Sequence, residues 1–167
     1  SLLVMLNAYR QQYGLNGIYL IPVNLYGPGD NFDLGTSHVI PALIRKCLAA
    51  KRNNDLSITC WGDGSATREF IYVGDAAKAI VDAMISYDGS DPVNIRSGDE
   101  ISIKDLTMLI KSLVGYDGDV VWDTSKPNGQ PRRVLDVSKA REKFGFKAST
   151  SLLDGLRNTI ESVREKF

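Results

Sequence analysis

The feature that most constrains the fold is a short apolar run, residues 18–23 (IYLIPV), set between a helical pattern and a loop rich in glycine, proline and polar residues. A run of this length, bounded in this way, is typical of a buried strand. The loop that follows, residues 24–32, would then lie at the carboxyl end of that strand. Ligands of open α/β sheets bind at this edge, so we expect a functional site there.

Hydrophobic spacing predicts helices and strands that alternate at first and mix less regularly later. Helices are predicted up to Gly14 and over residues 37–51, 75–85, 102–114 and 151–166, and extended segments over residues 56–61, 68–73, 92–95, 120–122 and 134–137. Ser37 and Ser102 are the expected N-caps, because a serine hydroxyl accepts a hydrogen bond from a free amide of the first turn. The pattern predicts an α/β chain, with the end of a parallel sheet followed by a smaller α+β lobe.

Composition argues against several classes of protein. The 20 basic residues balance the 20 acidic ones, so there is no overall field to attract nucleic acid or an anionic membrane. No stretch approaches the roughly 20 apolar residues of a transmembrane helix. The two cysteines, Cys47 and Cys60, are too few for a disulfide framework. We therefore expect a cytoplasmic protein without nucleic-acid or membrane partners. The chain starts without methionine, and apolar residues stand at helical spacing from its first residues. We therefore also expect it to be a piece of a longer polypeptide.

His38, the only histidine, follows Ser37 at the predicted start of a helix. A neutral imidazole can act as a base or as a hydrogen-bond donor near pH 7, so His38 is a candidate for acid/base chemistry. A surface or capping histidine is the alternative. No histidine, cysteine or carboxylate partner stands at metal-ligand spacing, and no metal is expected.

Cationic and aromatic residues suggest a second kind of contact. Arg68 follows Trp61 and a turn, while Lys126, Arg132 and Arg133 lie in or beside a late polar loop. Such groups suit a nucleoside diphosphate, with the indole against the base or sugar and the cations against the pyrophosphate. Ordinary solvated surface charge is the alternative.

Two Gly-x-Gly strings, residues 27–29 and 62–64, lack the third glycine of a dinucleotide-binding loop. The second lies between two predicted strands, where a turn is expected and not the strand-to-helix setting of that loop. The chain therefore holds no complete dinucleotide fingerprint.

Several stretches together resemble the GDP-L-fucose synthases, a branch of the extended short-chain dehydrogenases that act on nucleotide sugars. They are residues 22–28 (PVNLYGP), 30–32 (DNF), 37–43 (SHVIPAL), 61–64 (WGDG), 68–70 (REF), 73–75 (VGD) and 123–132 (DTSKPNGQPR). The resemblance covers nearly the whole chain.

This resemblance implies that the chain is the C-terminal half of a Rossmann-like enzyme. Residues 1–36 would end the NADP-binding portion, and residues 37–167 would form mostly a substrate-binding lobe, with residues 74–95 returning to the Rossmann sheet. The family's glycine-rich loop, its catalytic Tyr-x-x-x-Lys and its catalytic cysteine would lie upstream, so neither Cys47 nor Cys60 is a candidate. The same resemblance implies a homodimer that pairs through the first helix.

The resemblance also implies roles for individual residues. The stretch that touches the nicotinamide side of NADP(H) corresponds to Pro22, Val23, Asn24 and Leu25. His38 matches a histidine that contacts the cofactor and acts as an acid or base in epimerisation. The positions that bind the GDP-sugar correspond to Lys46, Trp61, Arg68 and Asn128, the last of which often carries aspartate in relatives.

The implied reaction is the NADPH-dependent 3,5-epimerisation and 4-reduction of GDP-4-keto-6-deoxy-D-mannose to GDP-L-fucose. This chain alone would not catalyse it. Two alternatives stay open. One is another NAD(P)-dependent nucleotide-sugar epimerase or dehydratase, and the other is a non-catalytic fragment that binds nucleotide sugars.

Overall fold

A computed structural model describes residues 1–126, 128 and 138–167. The extended segment predicted for residues 134–137, together with Arg132 and Arg133, lies outside the described residues. The helices are α1 (Leu2–Tyr13), α2 (Val39–Asn53), α3 (Val73–Ser86), α4 (Ile103–Val114), α5 (Ser138–Phe144) and α6 (Leu152–Glu161). The strands are β1 (Leu20–Pro22), β2 (Asn24–Tyr26), β3 (Ser57–Trp61), β4 (Thr67–Tyr72), β5 (Val93–Ile95), β6 (Glu100–Ser102) and β7 (Asp119–Asp123).

Most strands pair in parallel. β1 pairs with β5, β2 with β4 and β3 with β7, all in parallel, and β6 lies antiparallel to β4. Helices connect the parallel pairs, as parallel strands require. The predicted α/β class is confirmed. Within the described ranges no helix combines the length and the apolar character needed to cross a bilayer.

The apolar run at residues 18–23 does not form the single strand that was predicted. β1 ends at Pro22, and the amide of Val23 donates to the carbonyl of Ile95 at 3.0 Å. Asn24 then begins β2 and pairs with Phe70 of β4. The chain thus crosses from one strand pair to another, and the predicted loop begins only after β2. Apolar periodicity could not reveal this step, because the two strands follow one another almost without a break.

The turn at residues 62–64 does not close a hairpin. β3 pairs with β7, whereas β4 pairs with β2 and β6. The two strands on either side of this turn therefore belong to different sheets. The turn carries the chain from one sheet to the other.

Helix starts agree only in part with the predicted caps. The N-cap of α2 is His38 and not Ser37, and no side chain caps this helix. The amide of Ser37 donates to the carbonyl of Asp33 at 2.7 Å, so this serine belongs to the preceding turn. In α4 the prediction is confirmed, because the hydroxyl of Ser102 accepts from the amide of Asp105 at 3.0 Å.

Buried side chains form two clusters, one on each side of β4. The larger lies among α2, α4, α6 and β3, and the smaller lies among α3, α5 and β5. Neighbouring residues of a strand point to opposite faces, and Phe70 accordingly joins the larger cluster while Ile71 joins the smaller. Burial of such side chains contributes about 1.5–3 kcal/mol each. Because β4 is packed on both faces, its position is fixed, and so are the positions of the residues at its ends.

Candidate functional site

A cavity of about 710 Å³ opens where β1 passes into β2, between the turn after β2, the start of α2 and β4. Its volume lies within the range of about 300–1,000 Å³ that is typical of small-molecule sites. Six of the predicted site residues line it together: Pro22, Val23, Asn24, Leu25, His38 and Arg68. The structure thus brings the predicted cofactor stretch, the histidine and one predicted substrate residue around one space.

Hydrogen bonds fix the predicted cofactor stretch on both sides. The amide of Val23 donates to Ile95, as described above, and the side-chain nitrogen of Asn24 donates to the carbonyl of Glu69 at 2.8 Å. Leu25, by contrast, keeps 44 % of its surface exposed. The stretch therefore presents a rigid edge with an apolar side chain available for contact.

Gly27 lets the chain turn closely against α3. A Cβ atom built at this position would lie 2.4 Å from Cγ1 of Val73, which is well inside van der Waals contact. Only glycine allows this approach without a shift of one of the two segments. Both residues line the cavity, so the close packing helps to set its shape.

His38 is exposed and stands at the mouth of the cavity with an extended backbone, φ −74° and ψ 174°. Its carbonyl accepts from the amide of Ala42 at 3.0 Å and so starts α2. Nothing in the described part of the chain hydrogen-bonds the imidazole, and both ring nitrogens can meet a ligand. An imidazole placed in this way can take or deliver a proton.

Arg68 lies near the start of β4 on the same cavity. Its Nη1 donates to the carbonyl of Thr67 at 2.7 Å. A guanidinium carries five N–H donors, so this bond leaves others for an anionic ligand group.

A second depression, of about 480 Å³, lies beside the end of β3 and is lined by Gly62, Asp63, Asn128 and residues 124–126. Trp61 stands next to it with 67 % of its surface exposed, and Nζ of Lys126 lies 5.9 Å from the centre of its ring. A cation over an indole face is attracted by the ring. An aromatic plane and a cation are thus adjacent here, as the sequence suggested.

Asn128 supports the turn that borders this depression. Its Oδ1 accepts from the amide of Asp63 at 2.8 Å. The carboxylate of Asp63 in turn accepts from the hydroxyl of Ser65 at 2.6 Å, and hydrogen bonding from Ser65 and Asn128 lowers the pKa of Asp63 to about 2. The turn at residues 62–64 was predicted from its glycine and aspartate residues, but Asp63 was not among the predicted site residues.

Lys46 lies apart from both spaces, on the surface where α2 meets β3. Its Nζ donates to the carbonyl of Thr59 at 2.8 Å. The four predicted substrate residues therefore do not share one pocket in this chain. Arg68 borders the cavity, Trp61 and Asn128 border the second depression, and Lys46 borders neither.

Neither cysteine contributes to the cavity. Both are buried and free, and burial raises the pKa of Cys47 to about 12 and also raises that of Cys60. Over the ranges that the structure describes, no group of three or more histidine, cysteine or acidic side chains is placed to hold a metal ion.

Comparison with known proteins places this geometry in a family. A profile of the NAD dependent epimerase/dehydratase family matches residues 2–95. The chain belongs to this family. The GDP-L-fucose synthase of Sinorhizobium fredii is 46% identical over 155 residues, which are 93% of this chain and 49% of that protein.

Solved structures agree with this assignment. A GDP-L-fucose synthetase from Naegleria fowleri bound to NADP superposes with a TM-score of 0.89 at 30% identity, over 98% of this chain and 51% of that one. A GDP-6-OMe-4-keto-L-xylo-heptose reductase from C. jejuni gives a TM-score of 0.89 at 30% identity, over 98% and 58%. The chain thus spans about half the length of the relatives that it matches. The resemblance to GDP-L-fucose synthases is confirmed, as is the Rossmann-like α/β fold.

Proposed function

We propose that this chain is the substrate-side half of an NADP(H)-dependent enzyme that converts GDP-4-keto-6-deoxy-D-mannose to GDP-L-fucose. The observation that carries the proposal is the single cavity shared by the residue 22–25 stretch, His38 and Arg68. Relatives named GDP-L-fucose synthase support the choice of reaction, and the one from Sinorhizobium fredii is 46% identical to this chain.

The cavity would take the nicotinamide end of a dinucleotide. The stretch at residues 22–25 runs from the end of the parallel strand β1 into β2, and it offers the exposed side chain of Leu25. Cofactors of open α/β sheets bind at the carboxyl ends of strands. His38 would border the same group, because it lines the same cavity. When bound, the reduced cofactor supplies the hydride that reduces C4 of the sugar.

His38 would act in the epimerisation. A 4-keto group acidifies the protons at C3 and C5, so that a base can remove each proton and an acid on the other face can return it. Both ring nitrogens of His38 are available for such transfers, since no described residue hydrogen-bonds them. The family's second acid/base group would come from the upstream half.

The nucleotide would extend from Arg68 toward Trp61. Arg68 would hold the diphosphate and keep the sugar in place while each carbon reacts. Trp61 would contact the base or ribose, with Lys126 beside it. Lys46 retains two ammonium donors beyond its bond to Thr59 and would add a contact to the nucleotide. Asn128 would contact the substrate through its side-chain nitrogen, while its oxygen accepts from the amide of Asp63 and holds that turn.

We also propose that the protein forms a homodimer through α1. This helix has no buried residue, and Leu2, Met5 and Tyr9 on it are exposed. Apolar groups exposed together in this way mark a surface that is covered by another segment, either a second copy or the upstream half. Light scattering should give the mass of a dimer for the longer protein that contains this chain. A Leu2→Glu, Met5→Glu variant should give the mass of a monomer, and an unchanged mass would refute this arrangement.

The experiment that tests the proposed reaction is NADPH consumption by the longer protein, which joins this chain to its upstream half. We expect GDP-4-keto-6-deoxy-D-mannose to support oxidation of NADPH and formation of GDP-L-fucose. Reaction of UDP- or dTDP-sugars without NADPH consumption would instead indicate a related epimerase or dehydratase. GDP binding without turnover of any of these sugars would leave only a nucleotide-sugar-binding protein.

A further inference from the structure

The segment at residues 29–37 contributes Gly29 and Asp30 to the wall of the cavity and ends next to His38, which also lines the cavity. Gly29 and Asp30 line the cavity, and they also line a smaller depression of about 330 Å³ behind it. Arg45 and Phe167 also line that depression. A movement of this wall would change the cavity and would also move His38, which directly follows the segment.

Hydrogen bonds make the segment compact within itself. The side-chain amide of Asn31 donates to the hydroxyl of Thr36 at 2.9 Å, and the amide of Gly35 donates to the carboxylate of Asp33 at 2.9 Å. Ser37 is tied to the carbonyl of Asp33, as noted above. These bonds give the segment its shape, but they do not attach it to the rest of the protein.

Phe32 provides that attachment, and it is held at both its backbone and its ring. Its side chain is only 8% exposed. Nη1 of Arg45 donates to the carbonyl of Phe32 at 2.9 Å, and the ring of Phe167 lies 5.9 Å from the ring of Phe32. The guanidinium carbon of Arg45 lies 5.0 Å from the centre of the Phe167 ring. Phe32, Arg45 and Phe167 thus form a closed set of contacts, which we call the Phe32 clamp.

The clamp connects the segment to the helix that carries His38. Arg45 stands on α2, about two helical turns beyond His38. The segment is therefore fixed to α2 at two places, through the chain at His38 and through the clamp at Arg45. Without the Phe167 ring, the Arg45 guanidinium would lose its contact with that ring, and Phe32 would lose a packing partner.

We infer that Phe167 is a positioning residue for the proposed active site, because it fixes the segment at residues 29–37 and thereby the place of Gly29, Asp30 and His38 at the cavity. The effect on turnover rests on the proposed function, whereas the clamp itself does not. Phe167 lies outside the cavity lining, so this role is indirect.

The test is a Phe167→Ala variant of the longer protein, followed by amide hydrogen exchange and by steady-state kinetics. We expect exchange at residues 31–37 to rise about tenfold or more, because local opening becomes easier. The turnover number should fall about tenfold, with KM for the GDP-sugar changed less than about threefold, since a displaced catalytic group affects chemistry more than binding.

Three further variants make the test specific. Phe167→Tyr keeps the ring and should restore both the exchange protection and the turnover number. Phe167→Leu keeps most of the apolar volume and should show the same local effect even if Phe167→Ala does not fold. Ile110→Val removes a methyl group from the same core on α4 and should leave exchange at residues 31–37 and the kinetics unchanged.

Unchanged exchange at residues 31–37 in both Phe167→Ala and Phe167→Leu would overturn the clamp. Faster exchange with an unchanged turnover number would overturn the positioning role. Failure of the unmutated protein to turn over would refute the proposed function instead, and the exchange measurement would then decide the clamp by itself.

Discussion

Glu69 should be one of the most important polar residues for stability. Its side chain is 6% exposed and accepts from Nε of Arg96 at 2.5 Å, from the amide of Gly98 at 2.7 Å and from the hydroxyl of Ser97 at 3.3 Å. These contacts join β4 to the loop after β5. They also support the carbonyl of Glu69, which holds the side chain of Asn24 at the cavity.

Glu69→Gln removes the charge but keeps an oxygen of similar position. Loss of one partner from a buried ion pair costs about 3–5 kcal/mol. Because the amide oxygen can still accept from Gly98, we expect a value near the lower limit, about 3 kcal/mol. At a typical urea dependence of about 2 kcal/mol per molar, the unfolding midpoint should fall by about 1.5 M.

The assay is urea unfolding followed by fluorescence and circular dichroism, with the same substitution at Glu161 as the control. The Glu161 carboxylate is 74% exposed and accepts from Nε of Arg164 at 3.0 Å, so Glu161→Gln should change stability by less than about 1 kcal/mol. Equal midpoints for Glu69→Gln and Glu161→Gln would refute the reasoning.

Three further predictions concern packing and ionisation. Gly155→Ala places a Cβ atom 2.1 Å from the hydroxyl oxygen of Tyr26. Overpacking of about 1–3 kcal/mol should exceed the gain of about 1 kcal/mol in helix propensity, so the urea midpoint should fall. Tyr26→Phe should recover part of this loss, and a higher midpoint for Gly155→Ala alone would contradict the packing. The carboxyl group of Asp63 should titrate near pH 2 when it is followed by NMR. Its stabilisation of the turn should be complete above pH 3.8 and should be lost only as the pH falls through about 2. A midpoint near 3.8 would contradict these hydrogen bonds. Cys47 and Cys60 should stay protonated and resist iodoacetamide at pH 8 until urea unfolds the protein, since burial raises both pKa values, and rapid labelling of the native protein would contradict their burial.

Local pattern predicted most elements but not their partners. Ser102 caps α4 as expected, because a cap depends on residues only three positions apart. The step from β1 to β2 at Val23 was missed, since it is defined by pairing with Ile95 and Phe70, far along the chain. The short β6 was missed for the same reason. The proposed division into residues 1–36 and 37–167 stays a prediction.

In the candidate site, too, local sequence pattern does not predict contacts between residues that are far apart in the chain. Residues 22–25 and His38 are close in sequence, and in the structure they line one cavity. Arg68 joins them only because β4 pairs with β2. The oxygen of Asn128 accepts from the amide of Asp63, a contact across 65 positions that spacing cannot reveal. Whether these residues bind substrate stays a prediction.

The most direct test of the central claim, that His38 at this cavity transfers protons in epimerisation, is deuterium incorporation from D₂O into GDP-4-keto-6-deoxy-D-mannose. The longer unmutated protein should place deuterium at C3 and C5. A His38→Asn variant should do so at least about a hundredfold more slowly, since loss of a positioned acid/base group typically costs 10²–10⁴-fold, while GDP still binds. Incorporation by His38→Asn at the unmutated rate would contradict the account.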